Sequence, residues 1–460
     1  MNATIVQGAT AAGGAGKLPW GLKLGWGIGA LGPAILLNGV AAMALFYMTS
    51  ILGISPSLAG AIIFVTKILD VLSDPLVGMW SDRSRAPGSR RRPFLIWGAL
   101  LGGASFAVIF TTPVFASEWL MAAYVFLALL IYTVGYTLFN IPFMAMPAEM
   151  TDDYHERSSI HGYRMVFVAI GSFLAANMAP FLAGELGKGA WSSYAVVGVI
   201  GGGLAMVAML VAYLTTKSAR YSQAGAATPP ILSELSAVRG NPHFLRLIGV
   251  KLCQLTGVQL FQAGILFYLI QVLELDFAVL PIIGIASTAM AIIAAPLLVM
   301  FSKRYGKRWA YILAGAVYML QALSWLLAGP GEPLWALIAR SMALGVAFSG
   351  NVVLAMSMLT DIINYDAKLT GVRREGVYTA LYSFVEKFTA ALAPLIIGIG
   401  LDFAGFDKDL PVSQPQGDNV VLVLQFTLAL LPAILAAVAV WLIYGYRLSE
   451  KDFSGEEAKQ

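Results

Sequence analysis

Two aspartates one helical turn apart are the residues of this 460-residue chain with the clearest capacity for chemistry. Asp70 and Asp74 lie in the run KILDVLSDP at 67–75, within a segment that is otherwise apolar. Side chains four positions apart project from one face of a helix. Adjacent carboxylates repel, so one is protonated or a cation lies between them. Each charge costs about 3 kcal/mol at mid-membrane depth, and the pair is interpreted as a site that binds and releases Na⁺ or H⁺.

Two hydroxyl side chains are candidates for the same site. Ser73 lies between the aspartates in sequence, and Thr137 lies in a later apolar segment. Neutral oxygens of this kind suit a hard cation without strong geometric demands. The alternative is a structural salt bridge from the aspartates to a basic side chain, which would lower the cost of burial without any transported ion. The candidate partners for that bridge are Lys67, Arg164 and Lys387.

A second set of ionisable residues lies farther along the chain. Arg164, Glu386 and Lys387 occupy predicted spans, where they either hold an anionic or hydroxylated solute or balance the charge of a cavity. Lys251 and Arg340 lie near predicted span ends and are expected to extend their charged groups to the membrane surface. Neutral polar groups at membrane depth form interhelical hydrogen bonds as often as ligand contacts; here they are Asn140, Gln254, Gln259, Gln262 and Asn351.

The elements that position these residues are long apolar segments. The chain is 58% hydrophobic and 12% charged, with mean hydropathy +0.77, whereas soluble domains carry about 25% charged residues. Segments long enough to cross about 30 Å of hydrocarbon recur throughout, which predicts an all-α membrane protein with twelve transmembrane helices. The predicted spans are 22–50, 56–80, 93–114, 117–147, 159–184, 192–216, 244–273, 278–301, 307–328, 332–362, 375–402 and 418–446.

The loop charges predict the orientation of these spans. Loops after even-numbered spans, together with the adjoining span ends, carry 17 Lys and Arg residues, and loops after odd-numbered spans carry 2. Basic loops stay on the cytoplasmic side. We therefore expect both termini to be cytoplasmic and the chain to be a multi-pass protein of a bacterial-type inner membrane, with the first span acting as the insertion signal and no cleaved leader.

The chain divides into two similar halves around its longest internal polar stretch. The expected regions are a tail at 1–21, a six-helix bundle at 22–216, a central cytoplasmic loop at 217–243, a second six-helix bundle at 244–446, and a tail at 447–460. The motifs WSDRSR at 80–85 and EMTD at 149–152 resemble FSKRYGKR at 301–308 and LTDI at 359–362. Two such halves are typical of transporters whose site lies between them near the midplane.

Several function classes are disfavoured by what the sequence lacks. No nucleotide-binding loop, catalytic triad or metal centre is evident, so an enzyme or an ATP-driven pump is not expected. The single cysteine, Cys253, excludes an intrachain disulfide, and no Cys/His spacing suits zinc. We expect no cofactor and no metal other than a transported Na⁺. The expected partners are a small organic solute, the coupling cation and membrane lipid, without nucleic acid, and the chain is expected to be a monomer.

Four motifs and a single arginine together resemble one known family. The run at 67–75 with RPF at 92–94, the segment YTLFNIPF at 136–143, Arg164, DIINY at 361–365, and the stretch from Glu375 to Lys387 are similar to the glycoside–pentoside–hexuronide:cation symporters. The resemblance extends from Leu22 to Tyr446. It implies the major facilitator fold, with two six-helix bundles that rock about a central site and carry cation and solute together.

The resemblance also implies roles for particular residues. Asp70, Ser73, Asp74 and Thr137 match the family's cation site, and Arg164 and Lys387 match basic residues that line its cavity. This chain departs from the melibiose permease by lacking an aspartate at 33–34, by having Asn140 in place of a sugar-binding aspartate, and by having Met144 in place of an aromatic ring. The predicted substrate-site residues are Asn140, Met144, Arg164, Gln259, Asn351 and Lys387.

These departures argue against a simple galactoside as the solute. A uronide or another anionic solute remains open, because the basic residues are retained. The alternative within transport is a cation-coupled carrier of a lysolipid or another amphiphile, since the lysolipid symporters of animals resemble distant members of the family. A membrane receptor that binds ligand without transport is the alternative from a different class.

Overall fold

A computed structural model describes residues 18–84, 91–151, 153–186, 191–218, 240–275, 279–372, 374–412 and 414–446. Within these ranges, all regular secondary structure is helical. Eleven helices are long and apolar enough to cross a membrane. One further helix of 33 residues, Tyr154–Leu186, lies where the fifth span was predicted. The all-α membrane architecture is therefore confirmed, whereas eleven of the twelve predicted spans meet the criterion of length and apolarity.

The helices are numbered here in chain order. Their bounds are α1 Trp20–Ile51, α2 Pro56–Arg83, α3 Arg92–Phe110, α4 Glu118–Met150, α5 Tyr154–Leu186, α6 Trp191–Thr215, α7 Pro242–Gln271, α8 Leu280–Tyr305, α9 Lys307–Leu327, α10 Leu334–Thr370, α11 Glu375–Phe403 and α12 Asp418–Tyr444.

The helix ends follow local chemistry more than hydropathy. Helix α10 continues eight residues past the predicted end of its span because helix formation does not require apolar residues. It ends at Gly371, whose φ of 71° is accessible to glycine without strain. Helix α7 begins after Asn241, whose side-chain oxygen accepts from the backbone N–H groups of His243 and Phe244. Most of the predicted central loop, residues 219–239, lies outside the described residues.

The contacts between helices form two groups, α1–α6 and α7–α12. Across the two groups, α2 packs on α11, α1 on α7, and α5 on α8. The α2–α11 contact is close because glycines permit it: a Cβ atom on Gly398 would lie 2.2 Å from the backbone oxygen of Pro56, and one on Gly60 would lie 2.6 Å from that of Pro394. Both contacts lie toward the end of the bundle where α2 begins and α11 ends.

The outward surface of the bundle is apolar. Large side chains such as Phe403, Leu327 and Trp441 are mostly exposed. In water, a surface of this kind would aggregate, whereas lipid is the solvent that accepts it.

The two sequence repeats form equivalent contacts. In the first half, Arg91 lies 3.2 Å from Glu149 at the end of α4. In the second half, Lys307 lies 2.6 Å from Asp361 near the end of α10. In the first half the basic residue follows α2 and contacts the end of α4. In the second half the basic residue follows α8 and contacts an acid near the end of α10. The two ion pairs therefore occupy similar places in the two halves, although Glu149 and Asp361 stand at different positions of their motifs.

Candidate functional site

The two aspartates of α2 meet one hydroxyl and one ammonium group. Thr137 of α4 donates a hydrogen bond of 2.8 Å to Asp70 Oδ1, and its oxygen lies 3.4 Å from Asp74 Oδ1. The Nζ atom of Lys387 in α11 lies 3.1 Å from Asp70 Oδ2 and also pairs with Asp74. Asp70 is 3% exposed. Three of the four predicted cation-site residues are thus gathered around one point.

The fourth predicted residue is oriented differently. The hydroxyl of Ser73 donates to the backbone oxygen of Asp70 at 2.9 Å. This bond satisfies the hydroxyl within its own helix, as is common for serine in membrane helices. Lys67, on the same helix, is buried with its ammonium 6.0 Å from the centre of the Tyr132 ring. A role for Ser73 as a cation ligand stays a prediction.

This ion cluster connects the two halves of the molecule. Asp70 and Asp74 belong to α2 and Thr137 to α4, both in the first half, whereas Lys387 belongs to α11 in the second. The sequence offered three basic residues as partners of the aspartates. In the structure the partner is Lys387, which lies in the opposite half. The ion pair between Lys387 and the aspartates therefore depends on this arrangement of the two halves.

Arg164 of α5 is placed close to this cluster without joining it. The Nε atom is buried and has no hydrogen-bond partner. Tyr136, next to Thr137 in α4, is buried, and its phenol lies within electrostatic range of Arg164 and of both α2 aspartates. Sequence reasoning did not select Tyr136, although it lies next to Thr137 in the recognised motif.

The prediction that Lys251 extends to the membrane surface is wrong. It is 4% exposed, lies 3.3 Å from Glu386 Oε1, and stands 4.4 Å from the centre of the Tyr382 ring. Its side chain points at α11 rather than along α7 toward the helix end. Glu386 could have indicated this contact from the sequence, because an acid at membrane depth needs a counter-charge.

For Arg340, the same expectation stays a prediction. Its guanidinium pairs with Glu332 at 2.6 Å, lies over the Trp325 ring, and donates to Ser324 Oγ at 3.2 Å. Glu332 precedes the first residue of α10, so these partners direct the charge toward the end of the helix.

The neutral polar residues divide into two groups. Asn351 is buried and accepts from the hydroxyl of Tyr311 at 3.3 Å, and this hydroxyl also bonds Gln254. The amide Nδ2 of Asn351 has no hydrogen-bond partner. Asn140 and Gln259 are half-buried, and Met144, one turn after Asn140, is 36% exposed. Asn351 thus belongs to a buried hydrogen-bond group of the second half, and its role in solute binding stays a prediction. Asn140 and Met144 lie on a more accessible face of α4.

One end of the interface between the halves is closed by polar contacts. The carboxylate of Glu118, at the start of α4, pairs with Lys408 and accepts from the backbone N–H of Ser55 at 2.8 Å. Ser57 at the start of α2 bonds Asp402 near the end of α11. These contacts lie at the same end as the glycine contacts between α2 and α11, which makes this end of the interface the closed one.

The chain matches known proteins over nearly its whole length. A family model described as MFS/sugar transport protein matches residues 25–450. A putative glycoside/cation symporter, YagG, of Escherichia coli is 24% identical, with 93% of this chain and 92% of the relative covered. A putative sulfoquinovose importer of Salmonella typhimurium is 27% identical, with 95% and 92% covered. A glucuronide carrier protein homolog of Escherichia coli is 25% identical, with 95% and 94% covered.

Solved structures agree on the fold. A bacterial homologue of the human lysosomal transporter Spinster, in an inward-facing conformation, matches with a TM-score of 0.66 at 14% identity, with 95% of this chain and 100% of that chain covered. The nucleoside transporter NupG matches with a TM-score of 0.65, also at 14% identity, with 93% and 100% covered. The chain is a multi-pass membrane protein and a secondary transporter of sugar-like solutes. It belongs to the MFS/sugar transport protein family, whose members include the glycoside–pentoside–hexuronide:cation symporters that its motifs resemble.

Proposed function

We propose that this chain is a symporter that couples Na⁺ or H⁺ to uptake of a glycoside-, pentoside- or uronide-like solute by alternating access. The observation that carries the proposal is the ion cluster between the halves, in which Lys387 of one half pairs with Asp70 and Asp74 of the other. A charged contact across the moving interface gives an arriving cation a direct influence on the arrangement of the halves.

In this proposal, the ammonium of Lys387 holds the place of the coupling cation while no cation is bound. A Na⁺ or proton that binds Asp70 and Asp74 offsets one of their two negative charges and weakens their attraction to Lys387. The two halves then lose an electrostatic contact, and the energy difference between the two orientations of the transporter changes. Thr137 supplies a neutral oxygen next to the carboxylates, as a Na⁺ site requires.

The solute is proposed to bind beside this cluster. The proposed solute site takes partly accessible side chains from both halves. They are Arg164, Asn140 and Met144 in the first half, and Gln259 and Lys387 in the second. The names of relatives support this solute class, since they include a glycoside/cation symporter, a sulfoquinovose importer and a glucuronide carrier homolog.

The proposed orientation follows from the basic loops. If these loops are cytoplasmic, both termini are cytoplasmic and the closed end, with Glu118 and Lys408, faces the periplasm. The described arrangement is then the inward-open one. The proposed location is the inner membrane of a bacterium, and the proposed functional unit is the monomer.

The decisive experiment is uptake into proteoliposomes that contain the purified protein. A labelled glucuronide, a labelled pentoside and a labelled lysolipid are each tested with an inward Na⁺ gradient, with an inward proton gradient, and with neither. Accumulation of a sugar-type probe above its external concentration under one cation gradient supports the proposal. Accumulation of the lysolipid alone would move the assignment to an amphiphile carrier. Binding of a sugar probe without flux under any gradient would indicate a receptor.

A further inference from the structure

We infer that the surface around Arg308 binds an anionic phospholipid through its headgroup phosphate. Arg308 is the second residue of α9, and its guanidinium carbon lies 5.2 Å from the centre of the Trp309 ring and 5.4 Å from that of Tyr444, at the end of α12. The two ring planes are nearly perpendicular, and their centres lie 6.3 Å apart. The guanidinium therefore lies in the corner between two aromatic rings, which attract it and limit its freedom.

The two rings belong to the outward surface of the bundle. Trp309 is 46% exposed and Tyr444 is 62% exposed. Both stand at the ends of membrane-crossing helices, on the side of the bundle where the basic loops lie. Tryptophan and tyrosine at helix ends favour the level of the lipid headgroups, because each combines an apolar ring with a polar group. The guanidinium is thus held at the level where phospholipids place their phosphates.

This surface carries more positive than negative charge. Arg308 has no carboxylate partner within the described ranges, and its neighbour Lys307 pairs with the carboxylate of Asp361. Arg246, near the start of α7, adds a second exposed guanidinium beside the end of α12, where it donates to the backbone oxygen of Gly445 at 2.6 Å. No side chain caps the start of α9, so its first backbone N–H groups add partial positive charge. An anion complements this surface.

The corresponding place in the first half holds an arginine that has a protein partner. Arg92 starts α3, lies 4.4 Å from the centre of the Tyr213 ring near the end of α6, and donates to the backbone oxygen of Tyr213 at 3.0 Å. In the second half, the carbonyl at the end of α12, that of Gly445, accepts from Arg246 instead. Arg308 keeps the contact with the rings but has no such acceptor in the described part of the chain. Its N–H groups are therefore available to a ligand.

A phospholipid complements both the charge and the apolar part of this surface. Its phosphate matches the guanidinium fork through charge-assisted hydrogen bonds. Its acyl chains would lie along exposed apolar side chains below the rings: Leu313 and Leu320 share a face of α9 with Trp309, and Trp441 lies one turn before the end of α12. A soluble phosphate makes only the first of these contacts. The site therefore favours a lipid, and its location does not depend on the coupling ion or on the transported solute.

Lipid titrations of the purified full-length protein test this site. The protein is delipidated in a neutral detergent, and its melting temperature is followed as phosphatidylglycerol, or phosphatidylcholine with the same acyl chains, is added. The lipid concentration at half of the maximal shift gives the affinity. Wild type is expected to bind phosphatidylglycerol about tenfold more tightly than phosphatidylcholine, and Arg308→Gln to lose about tenfold in affinity for phosphatidylglycerol, because it loses a charge-assisted hydrogen bond. Arg308→Lys keeps the charge but not the fork, and is expected to lose less.

The matched control is Arg83→Gln, which removes an exposed arginine at the end of α2 and is expected to bind lipid like wild type. Equal affinities of wild type for the two lipids, or unchanged binding of phosphatidylglycerol by Arg308→Gln, overturn the inference. An equal loss in Arg83→Gln overturns it in favour of the total charge of the protein, and equal stabilisation by inorganic phosphate does so in favour of a soluble anion.

Two further variants complete the test. The sequence after Tyr446 contains acids, and a lipid effect that appears only when Glu450→Gln and Asp452→Asn are combined would overturn the inference, because the tail would then occupy the site. Should Arg308→Gln fail to fold, Tyr444→Leu removes one of the two rings that hold the guanidinium. It is expected to weaken binding of phosphatidylglycerol, and unchanged binding in this variant would equally overturn the inference.

Discussion

Lys387 Nζ lies 3.1 Å from Asp70 Oδ2, although the two residues are 317 positions apart and belong to different halves of the transporter. Removing one partner of a buried ion pair typically costs several kcal/mol, because the other charge is left unpaired, so the state of this contact affects the relative energies of the arrangements of the two halves. A group that competes with Lys387 for the carboxylates therefore acts on the conformational equilibrium as well as on its own site.

The first prediction concerns the carboxylate that is more accessible to a coupling ion. We expect Asp74→Asn to abolish cation-dependent accumulation while the protein still inserts and folds, since the amide keeps the shape but not the charge. The measurement is uptake in proteoliposomes with and without the cation gradient. Asp418→Asn, the same change at an exposed helix start, should accumulate solute like wild type. Concentrative uptake by Asp74→Asn at the wild-type level would refute a role for this pair in coupling.

The second prediction tests whether Lys387 competes with the coupling cation or helps the site to bind it. If the lysine occupies the place of the coupling cation, Lys387→Gln should strengthen cation binding by about tenfold or more, because it removes a positive charge next to two carboxylates. The midpoint of cation-dependent thermal stabilisation gives the affinity at constant ionic strength, and the titration is repeated with pH if Na⁺ has no effect. Lys303→Gln on an exposed surface is the control. Weaker cation binding in Lys387→Gln would show that the lysine supports the site.

The sequence predicted the helices well and the partners of the charges poorly. The spans of α2 and α11 were placed correctly because apolar length is a local property that hydropathy reports directly. The pairing of Lys387 with Asp70 was only one of three alternatives, because a contact between distant segments depends on how whole bundles pack. Lys251 was misjudged for the same reason, since its partner is on α11 and not on its own helix.

The third prediction tests the close approach of α2 and α11. In Gly398→Val, the added Cβ would lie 2.2 Å from the backbone oxygen of Pro56, and this backbone atom has little freedom to move away. We expect this end of the interface to open and uptake to fall more than tenfold. Spin labels at exposed positions Val114 and Phe403, in a background with Cys253→Ser, report the distance between the halves.

The matched control for this experiment is Gly203→Val, where the added Cβ meets no atom within 4 Å. Both substitutions place valine in a membrane helix, so they share any effect of β-branching. An unchanged distance between the labels in Gly398→Val, with uptake like that of Gly203→Val, would mean that the contact is not needed to close this end.

The fourth prediction uses the repeated contacts of the two halves, which differ in burial. Glu149 and Arg91 have side chains that are 3% and 7% exposed, whereas Asp361 and Lys307 are 24% and 38% exposed. Removing one member of a buried pair costs about 3–5 kcal/mol, because the other charge is left in a low dielectric. An exposed pair contributes about 1 kcal/mol or less. We therefore expect Glu149→Gln to destabilise the protein far more than Asp361→Asn in chemical unfolding in detergent micelles.

The double variant Arg91→Gln with Glu149→Gln refines this test. In Glu149→Gln, Arg91 keeps its 2.8 Å contact with the exposed Asp82 but loses its buried carboxylate. If the loss of stability comes from this incompletely paired buried cation, removing the cation as well should restore part of it, so that the double variant is more stable than the single one. If the loss comes instead from the missing attraction, the double variant recovers nothing. Equal losses in Glu149→Gln and Asp361→Asn would mean that burial does not distinguish the two repeats, and that the matched positions serve the same structural role.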